Sequence, residues 1–439
     1  MTARTTGEKS TASLLSRCDR QSNTLTPTKS TDILIVGGGI IGLTIAHRLQ
    51  QTNRSVMLID PAEPGSGASW GNAGTIADYA IMPVASPAVL RNLPALLFNR
   101  NSPLSIRKAA ILSLAPWLLR FLRQALPAAT QRNMQVLANI LADAGQRWTE
   151  LAEHIQGQTL LKANGCLYVY EDQRSFELGW QDITHRQSFG IDAKMLTPQQ
   201  LASLEPQLPP IEGGAAFFPN ALYINDPGQF LTLMFKQLTD QGLHFQQASV
   251  IGLSRHKSGI EATLSGGNRV STKQVIIAAG AYSRDLARMA GDRIPLQAER
   301  GYHLEFDLDQ PLLSRPVSAS SRGFYMTPMQ GRLRVAGTVE LGGLNPKASR
   351  HRLYKLQQGT NYYFPHLKQA NRSWLGFRPS IPDSRPVISA SKYGNDIVYA
   401  FGHGHIGMTL APITAELVYA LLTSTTPPID LNDYSAGRF

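Results

Sequence analysis

DILIVGGGIIGLTIAHRL (residues 32–49), followed by SVMLID (residues 55–60), is the stretch whose reading decides the fold. Ile33, Leu34, Ile35 and Val36 form a short continuous apolar run, the pattern of a strand buried on both faces. Gly37, Gly39 and Gly42 follow at the G-x-G-x-x-G spacing, and residues 43–49 open a helix. A second strand, residues 56–59, ends at Asp60, 18 residues past Gly42. Each residue type has a task at a dinucleotide site. The first glycine makes the tight turn, the second lets the backbone approach a pyrophosphate, and the third lets helix and strand pack closely. The helix start, at Ile40 and Ile41, offers unpaired N–H donors to the anion. Asp60 can accept hydrogen bonds from two ribose hydroxyls, and an acid there disfavours a 2′-phosphate. NAD and FAD both satisfy this stretch.

The chain around it has 439 residues, 43% of them hydrophobic, enough for two domains with a large shared core. No run of 18 apolar residues is present, so no single helix in the sequence reads as a membrane span. Two cysteines, Cys18 and Cys166, make neither a metal-ligand cluster nor a disulfide framework, and no metal is expected. The reading is a protein of a reducing compartment, cytoplasmic and peripheral on the inner face of the membrane. Residues 1–30 are rich in Ser, Thr and Gln and lack the apolar core of a secretory signal, so they read as a disordered tail.

The net charge of +11 is unevenly spread. Between Asp78 and Asp143 there is no acid, while Arg91, Arg100, Arg107, Lys108, Arg120, Arg123 and Arg132 stand among leucines, Trp117 and Phe121. Pro94, Pro103 and Pro116 divide the segment into short helices. Such interleaving suits a surface lying on anionic lipid. The competing reading puts the leucines in the core and the arginines on a solvated face. Helices of this kind are poor readers of a nucleic-acid groove, and no nucleic-acid partner is expected.

The remaining pattern is mixed. Residues 79–157 read as mostly helical, 167–170 and 215–218 as strands, and Thr197-Pro198 as a capped helix start. Asn225-Asp226-Pro227 opens a helix. Two antiparallel strands are expected within residues 244–253 and 260–264. Val275 to Ala278 form a buried strand ending at Ala279-Gly280, and residues 302–337 are β-rich.

Five landmarks in this order resemble the FAD-dependent D-amino-acid oxidase superfamily. They are residues 33–42, Ser69-Trp70-Gly71-Asn72-Ala73-Gly74, residues 275–280, Gly376-Phe377-Arg378-Pro379 with Asp383 and Pro386, and Gly402-His403-Gly404-His405-Ile406-Gly407. The Ser-x-x-Asn-Ala-Gly loop followed by a long basic helical segment looks most like bacterial D-amino-acid dehydrogenases. The resemblance implies non-covalent FAD as the nucleotide. It implies an α/β fold, a Rossmann-type FAD-binding domain with an interleaved α+β substrate domain containing a mostly antiparallel sheet. The expected division is FAD-binding over 31–78, 215–294 and 373–439, and substrate domain over 79–214 and 295–372, with the basic helical insert at 79–132.

The resemblance also implies site residues. Cofactor contacts are expected from the glycine turn, Asp60, Ser69, Asn72, Ala73, Gly74, Val250, Ala279, Gly280, Gly404, His405, Ile406 and Gly407. Arg378 is the expected partner of a substrate carboxylate, since a guanidinium fork makes two parallel charge-assisted bonds. Tyr302 and His303 are adjacent on a strand, so only one can line the pocket; family resemblance favours Tyr302. The implied activity is oxidative deamination of a D-amino acid to a 2-oxo acid and ammonia, with hydride passing to flavin N5 and electrons to a quinone or other respiratory acceptor. The alternatives are a glycine-, sarcosine- or hydroxyproline-type enzyme, and a flavin-bearing subunit without a substrate.

Overall fold

The computed structural model describes residues 29–91, 104–107 and 110–439. Of the expected tail only Lys29 and Ser30 fall among them, and they already belong to the first strand, Lys29–Val36.

That strand lies at the centre of an eight-stranded sheet. Its parallel core runs His244–Gln247, Val56–Asp60, Lys29–Val36, Arg269–Ile277 and Gly394–Phe401. Alternation along Lys29–Val36 feeds two cores. Ile33 and Ile35 face the helices Ile40–Leu49 and Gly407–Thr423, while Leu34 and Val36 face the opposite layer with Leu286 and Ala287. Each such fully buried aliphatic side chain contributes about 1.5–3 kcal/mol, so the apolar run in the sequence and the doubly covered strand are one fact. The expected pair of antiparallel strands resolves differently. Residues 244–247 pair parallel with Val56–Asp60 at one edge, and Val250–His256 pairs antiparallel with Gly259–Leu264 at the other. Ala248 and Ser249 carry the chain between them, which periodicity alone could not reveal.

The second sheet has nine strands and is mostly antiparallel, ordered Arg372–Ser380, Gln297–Asp307, Arg332–Leu341, Phe324–Met329, Val317–Ala319, Cys166–Tyr170, Gly214–Phe218 and Lys194–Leu196, with Leu104–Ile106 beside Arg332–Leu341. Two expected boundaries therefore move. Gly214–Phe218 pairs with Cys166–Tyr170, and Arg372–Ser380 pairs with Gln297–Asp307, so both belong to this sheet and not to the nucleotide-binding one. A strand's own residues do not say which sheet offers it a free edge. The back of the sheet, through Leu304, Phe306, Val335 and Met326, packs on the helix Arg350–Tyr363. Its front meets the first sheet's loops.

Within the basic segment the helix Ile111–Gln124 buries Leu114, Trp117 and Phe121 against Ala85, Ala125 and Leu341. Leu112 and Leu119 on the other side are 91% and 54% exposed. Lys108 and the residues around Leu96, Leu97 and Phe98 lie outside the described residues.

Candidate active site

Four strands of the parallel core run the same way, so their carboxyl ends gather the glycine turn, Asp60, residues 278–280 and residues 402–407 at one edge of the sheet. Gly37 takes φ +114, a conformation L side chains rarely adopt, and a Cβ there would strike the Ala278 carbonyl. A Cβ on Gly42 would strike the Gly37 carbonyl, which is the close helix–strand contact expected of the third glycine. Gly38 N donates to Asp60 Oδ2 at 2.7 Å, and Ile40 N donates to Ser69 Oγ at 2.9 Å. The acid and the Ser69 loop are thereby tied to the glycine turn. Among the described residues the amides of Ile41 and Gly42 have no acceptor, as the first turn of a helix leaves them. These donors, a cradle with no room for side chains and an acid beside it fit an anionic dinucleotide. Val250 lies just past the strand residue Gln247 that pairs with Asp60.

The loop 69–74 is pinned to the front of the second sheet. Arg334 Nη1 donates to the carbonyls of Trp70 (2.8 Å) and Asn72 (2.7 Å), and Gly74 N closes on Asn72 Oδ1 at 2.8 Å. His303 Nδ1 lies 3.1 Å from the Gly71 carbonyl. A carbonyl only accepts, so Nδ1 carries the proton and Nε2 is a bare acceptor. The imidazole stacks on Trp374, with centroids 5.0 Å apart and planes at 15°, and Trp70 lies 5.5 Å away. Burial pushes His303 down to about 4, helped by Arg334, so the ring is neutral near pH 7.

Cross-strand register assigns the faces. Glu299, Gly301, His303 and Glu305 pair with Arg378, Gly376, Trp374 and Arg372 and point to the front. Tyr302 points to the back, where its hydroxyl donates to Glu340 Oε2 at 2.8 Å and lies 3.1 Å from Arg300 Nη2. The expectation that Tyr302 lines the pocket is thus corrected. Of the two neighbours it is His303 that shares the face of Arg378.

Arg378 is half-buried, and burial works against its charge, offset in part by Glu299. Among the described residues it forms no ion pair, and its one hydrogen bond runs to the Thr338 carbonyl at 3.2 Å. Glu299 is instead engaged by Ser380 Oγ at 2.6 Å, and burial pushes its carboxyl up. Beside Arg378 stand orphaned polar atoms. His303 Nε2, on the same face, and Thr338 Oγ1, at the bulge in Arg332–Leu341 whose carbonyl meets the guanidinium, are buried without a partner among the described residues. Buried polar groups are almost always paired, so a guanidinium lacking a carboxylate next to orphaned polar atoms reads as a ligand site.

The turn 402–407 reaches the same place. Gly404 N donates to the carbonyl of Pro379, next to Arg378, at 2.8 Å. His405 is pushed down to about 4 by burial and by Arg378. Ile406 caps the helix Gly407–Thr423, whose first-turn amides point their dipole at this edge. His403 is occupied with Thr414 Oγ1 at 3.0 Å. Trp70, Trp374, Gly301, Thr338 and Arg334 were not among the expected site residues; Trp70 lies within the Ser69–Gly74 motif and enters through its contacts with His303 and Arg334, and the other four enter through strand pairing.

Comparison with known proteins agrees with this geometry. The family model described as DAO, FAD dependent oxidoreductase, matches residues 32–421. A D-amino-acid oxidase of Bradyrhizobium diazoefficiens is 30% identical over 417 residues, 93% of this chain and 98% of the relative. A D-amino acid dehydrogenase of a Methylobacterium species is 26% identical over 426 residues, 93% and 99% of the two chains. Among solved structures, glycine oxidase from Geobacillus kaustophilus has the same fold, with a TM-score of 0.76 at 22% identity over 94% of this chain and all of that one (100%). This chain belongs to the family of FAD-dependent oxidoreductases named DAO, and FAD is its cofactor.

Proposed function

We propose that the chain oxidises an amino acid of D configuration to its imino acid, which water hydrolyses to a 2-oxo acid and ammonia. The observation that carries this reading is Arg378, half-buried on the sheet face toward the nucleotide edge and, among the described residues, in no ion pair. A substrate carboxylate completes it. The names of the two relatives, D-amino-acid oxidase and D-amino acid dehydrogenase, support the substrate class. When bound, FAD supplies the hydride acceptor.

The chain's own residues bind and orient. Arg378 fixes the carboxylate and so fixes the direction of the Cα–H bond. His303, neutral and with Nε2 bare, offers an acceptor to the substrate amine on the same face. The amides of the helix Gly407–Thr423 favour negative charge where the reaction delivers it. Trp70 and Trp374 wall off water from the imidazole. The electrons then pass to a quinone or other carrier, and the basic apolar helix Ile111–Gln124 holds the enzyme on the anionic membrane that contains it. What supports this last step is the exposure of Leu112 and Leu119 on the same helix as the exposed Arg120 and Arg123.

Turnover of a panel of D- and L-amino acids, glycine and sarcosine with an electron-accepting dye tests the substrate class. Arg378→Ala should lose about 2–5 kcal/mol of transition-state stabilisation while FAD content stays at the wild-type level. Arg378→Lys should recover only part, because the planar fork is gone. Unchanged kcat/KM in Arg378→Ala, or turnover confined to L-amino acids, would sink the reading.

A further inference from the structure

We infer that Gly301 and the bulged Thr338 are positioning residues for Arg378, a role that rests on Arg378 receiving the substrate carboxylate. Three independent features of the second sheet converge on the guanidinium. The first is an empty lane. Arg378 pairs across the strand with Glu299, yet its head does not sit over that acid; it lies over Gly301, two residues along on the same face. A Cβ built on Gly301 would stand 2.5 Å from Arg378 Cζ, 2.6 Å from Nη2 and 2.9 Å from Nη1. Glycine inside a strand weakens it, and its presence there marks close approach of another group.

The second feature is the bulge. Gly301 pairs with Val339 and Tyr302 with Gly337, so Thr338 is left without a cross-strand partner. Its φ is +56, an outlier for a β-branched residue. The turned peptide aims the Thr338 carbonyl at Arg378 Nη1, 3.2 Å away. Strain of this kind persists only where the surroundings enforce it, and it gathers at functional sites. The third feature is Ser380, whose hydroxyl occupies Glu299 and keeps that carboxyl from drawing the guanidinium back across the strand. With one nitrogen held by a neutral carbonyl and, among the described residues, no acid within ion-pair distance, the fork stays charged and open to an incoming carboxylate. Gly301 sets where the fork lies, and Thr338 sets how it is turned.

The test is a double-mutant cycle on the FAD-loaded protein, reading substrate Kd and limiting rate of flavin reduction by anaerobic stopped flow with the D-amino acid turned over fastest. Gly301→Ala displaces the guanidinium by about 1 Å, so the efficiency of reduction should fall by up to about 100-fold with the flavin spectrum unaltered. Arg378→Ala should fall at least as far, and Gly301→Ala combined with Arg378→Ala should fall no further than Arg378→Ala alone. A merely structural glycine would give additive losses, and that result overturns the inference. So does a wild-type response from Gly301→Ala beside a crippled Arg378→Ala. If Arg378→Ala itself is harmless, the carboxylate reading fails first. Should Gly301→Ala not load FAD, Arg378→Lys is combined with it, since an ammonium head has no plane to lie over residue 301. Recovery of FAD loading supports the lane, and continued failure refutes it.

Discussion

Tyr302 and His303 are chemically similar candidates one residue apart, and their opposite fates follow from pleat geometry alone. The Tyr302 hydroxyl is spent on Glu340 and Arg300 behind the sheet, where the ring packs at 1% exposure. Burial and Glu340 push its phenol above the usual range, so it stays a neutral donor. Tyr302→Phe should therefore leave kcat/KM within a few-fold of wild type. Its cost should appear in stability, about 1 kcal/mol for a half-buried acid that loses one donor and keeps Arg300. Thermal melts and dye-coupled kinetics on one preparation separate the two effects. A hundred-fold loss of kcat with an unchanged melting point would return Tyr302 to the pocket.

At the scale of elements, proline placement distinguishes two helices. Pro412 lies inside Gly407–Thr423 and cannot donate to the carbonyl one turn earlier, at Met408. The buried Trp148 supplies the missing donor, its Nε1 lying 3.1 Å from the Met408 carbonyl and 3.2 Å from that of Thr409. The carbonyl that Pro412 leaves open in the first turn of this helix, which begins at the site, is thereby satisfied. Pro116 lies inside Ile111–Gln124, a helix with one buried face and one exposed face on which leucines alternate with Arg120 and Arg123. Each cation near an anionic surface contributes about 1 kcal/mol, and the Debye length falls from about 10 Å at 0.1 M to about 3 Å at 1 M salt. Reversing Arg120 and Arg123 to Glu should release the protein from anionic vesicles at low salt and leave dye-coupled turnover intact. Co-sedimentation at equal levels for both proteins would favour a merely solvated arginine face.

Across the whole molecule, an ionic cluster centred on the buried Glu305 of the second sheet reaches the loop that follows the first sheet's strand Val56–Asp60. Glu305 accepts from Arg334 (2.8 Å), Arg332 (3.0 Å) and Arg372 (2.9 Å), and Arg334 in turn holds the loop 69–74. Burial works to raise the Glu305 carboxyl, but Arg334 and the other two guanidiniums outweigh it and hold it at about 2, below the ordinary 4.5. A depressed carboxyl stabilises the fold fully above its unfolded value and loses that contribution as pH falls through the folded one. Glu305→Gln leaves Arg334 buried beside a neutral partner and should cost about 3–5 kcal/mol near pH 7. The gap between the two proteins' melting points should be widest above pH 5 and narrow steadily from about 4.5 toward 2. A gap independent of pH would mean that packing, not charge, carries the residue's role.

Local chemistry was enough to locate the nucleotide edge. The turn at Gly37, the helix at Ile40, the acid at Asp60 and the buried strands each depend on residues within a few positions of one another, so spacing encodes them. Arg378, the proposed carboxylate partner, was singled out for the same reason, as part of a contiguous motif. The choice of His303 over Tyr302, the lane at Gly301, the bulge at Thr338 and the sheet to which Gly214–Phe218 and Arg372–Ser380 belong were decided by strand pairing. Register and face are properties of two strands far apart in the chain, and a shift of one residue exchanges every side chain between the faces. The sequence therefore determined which chemistry is present, and the tertiary structure decided which side chains meet it.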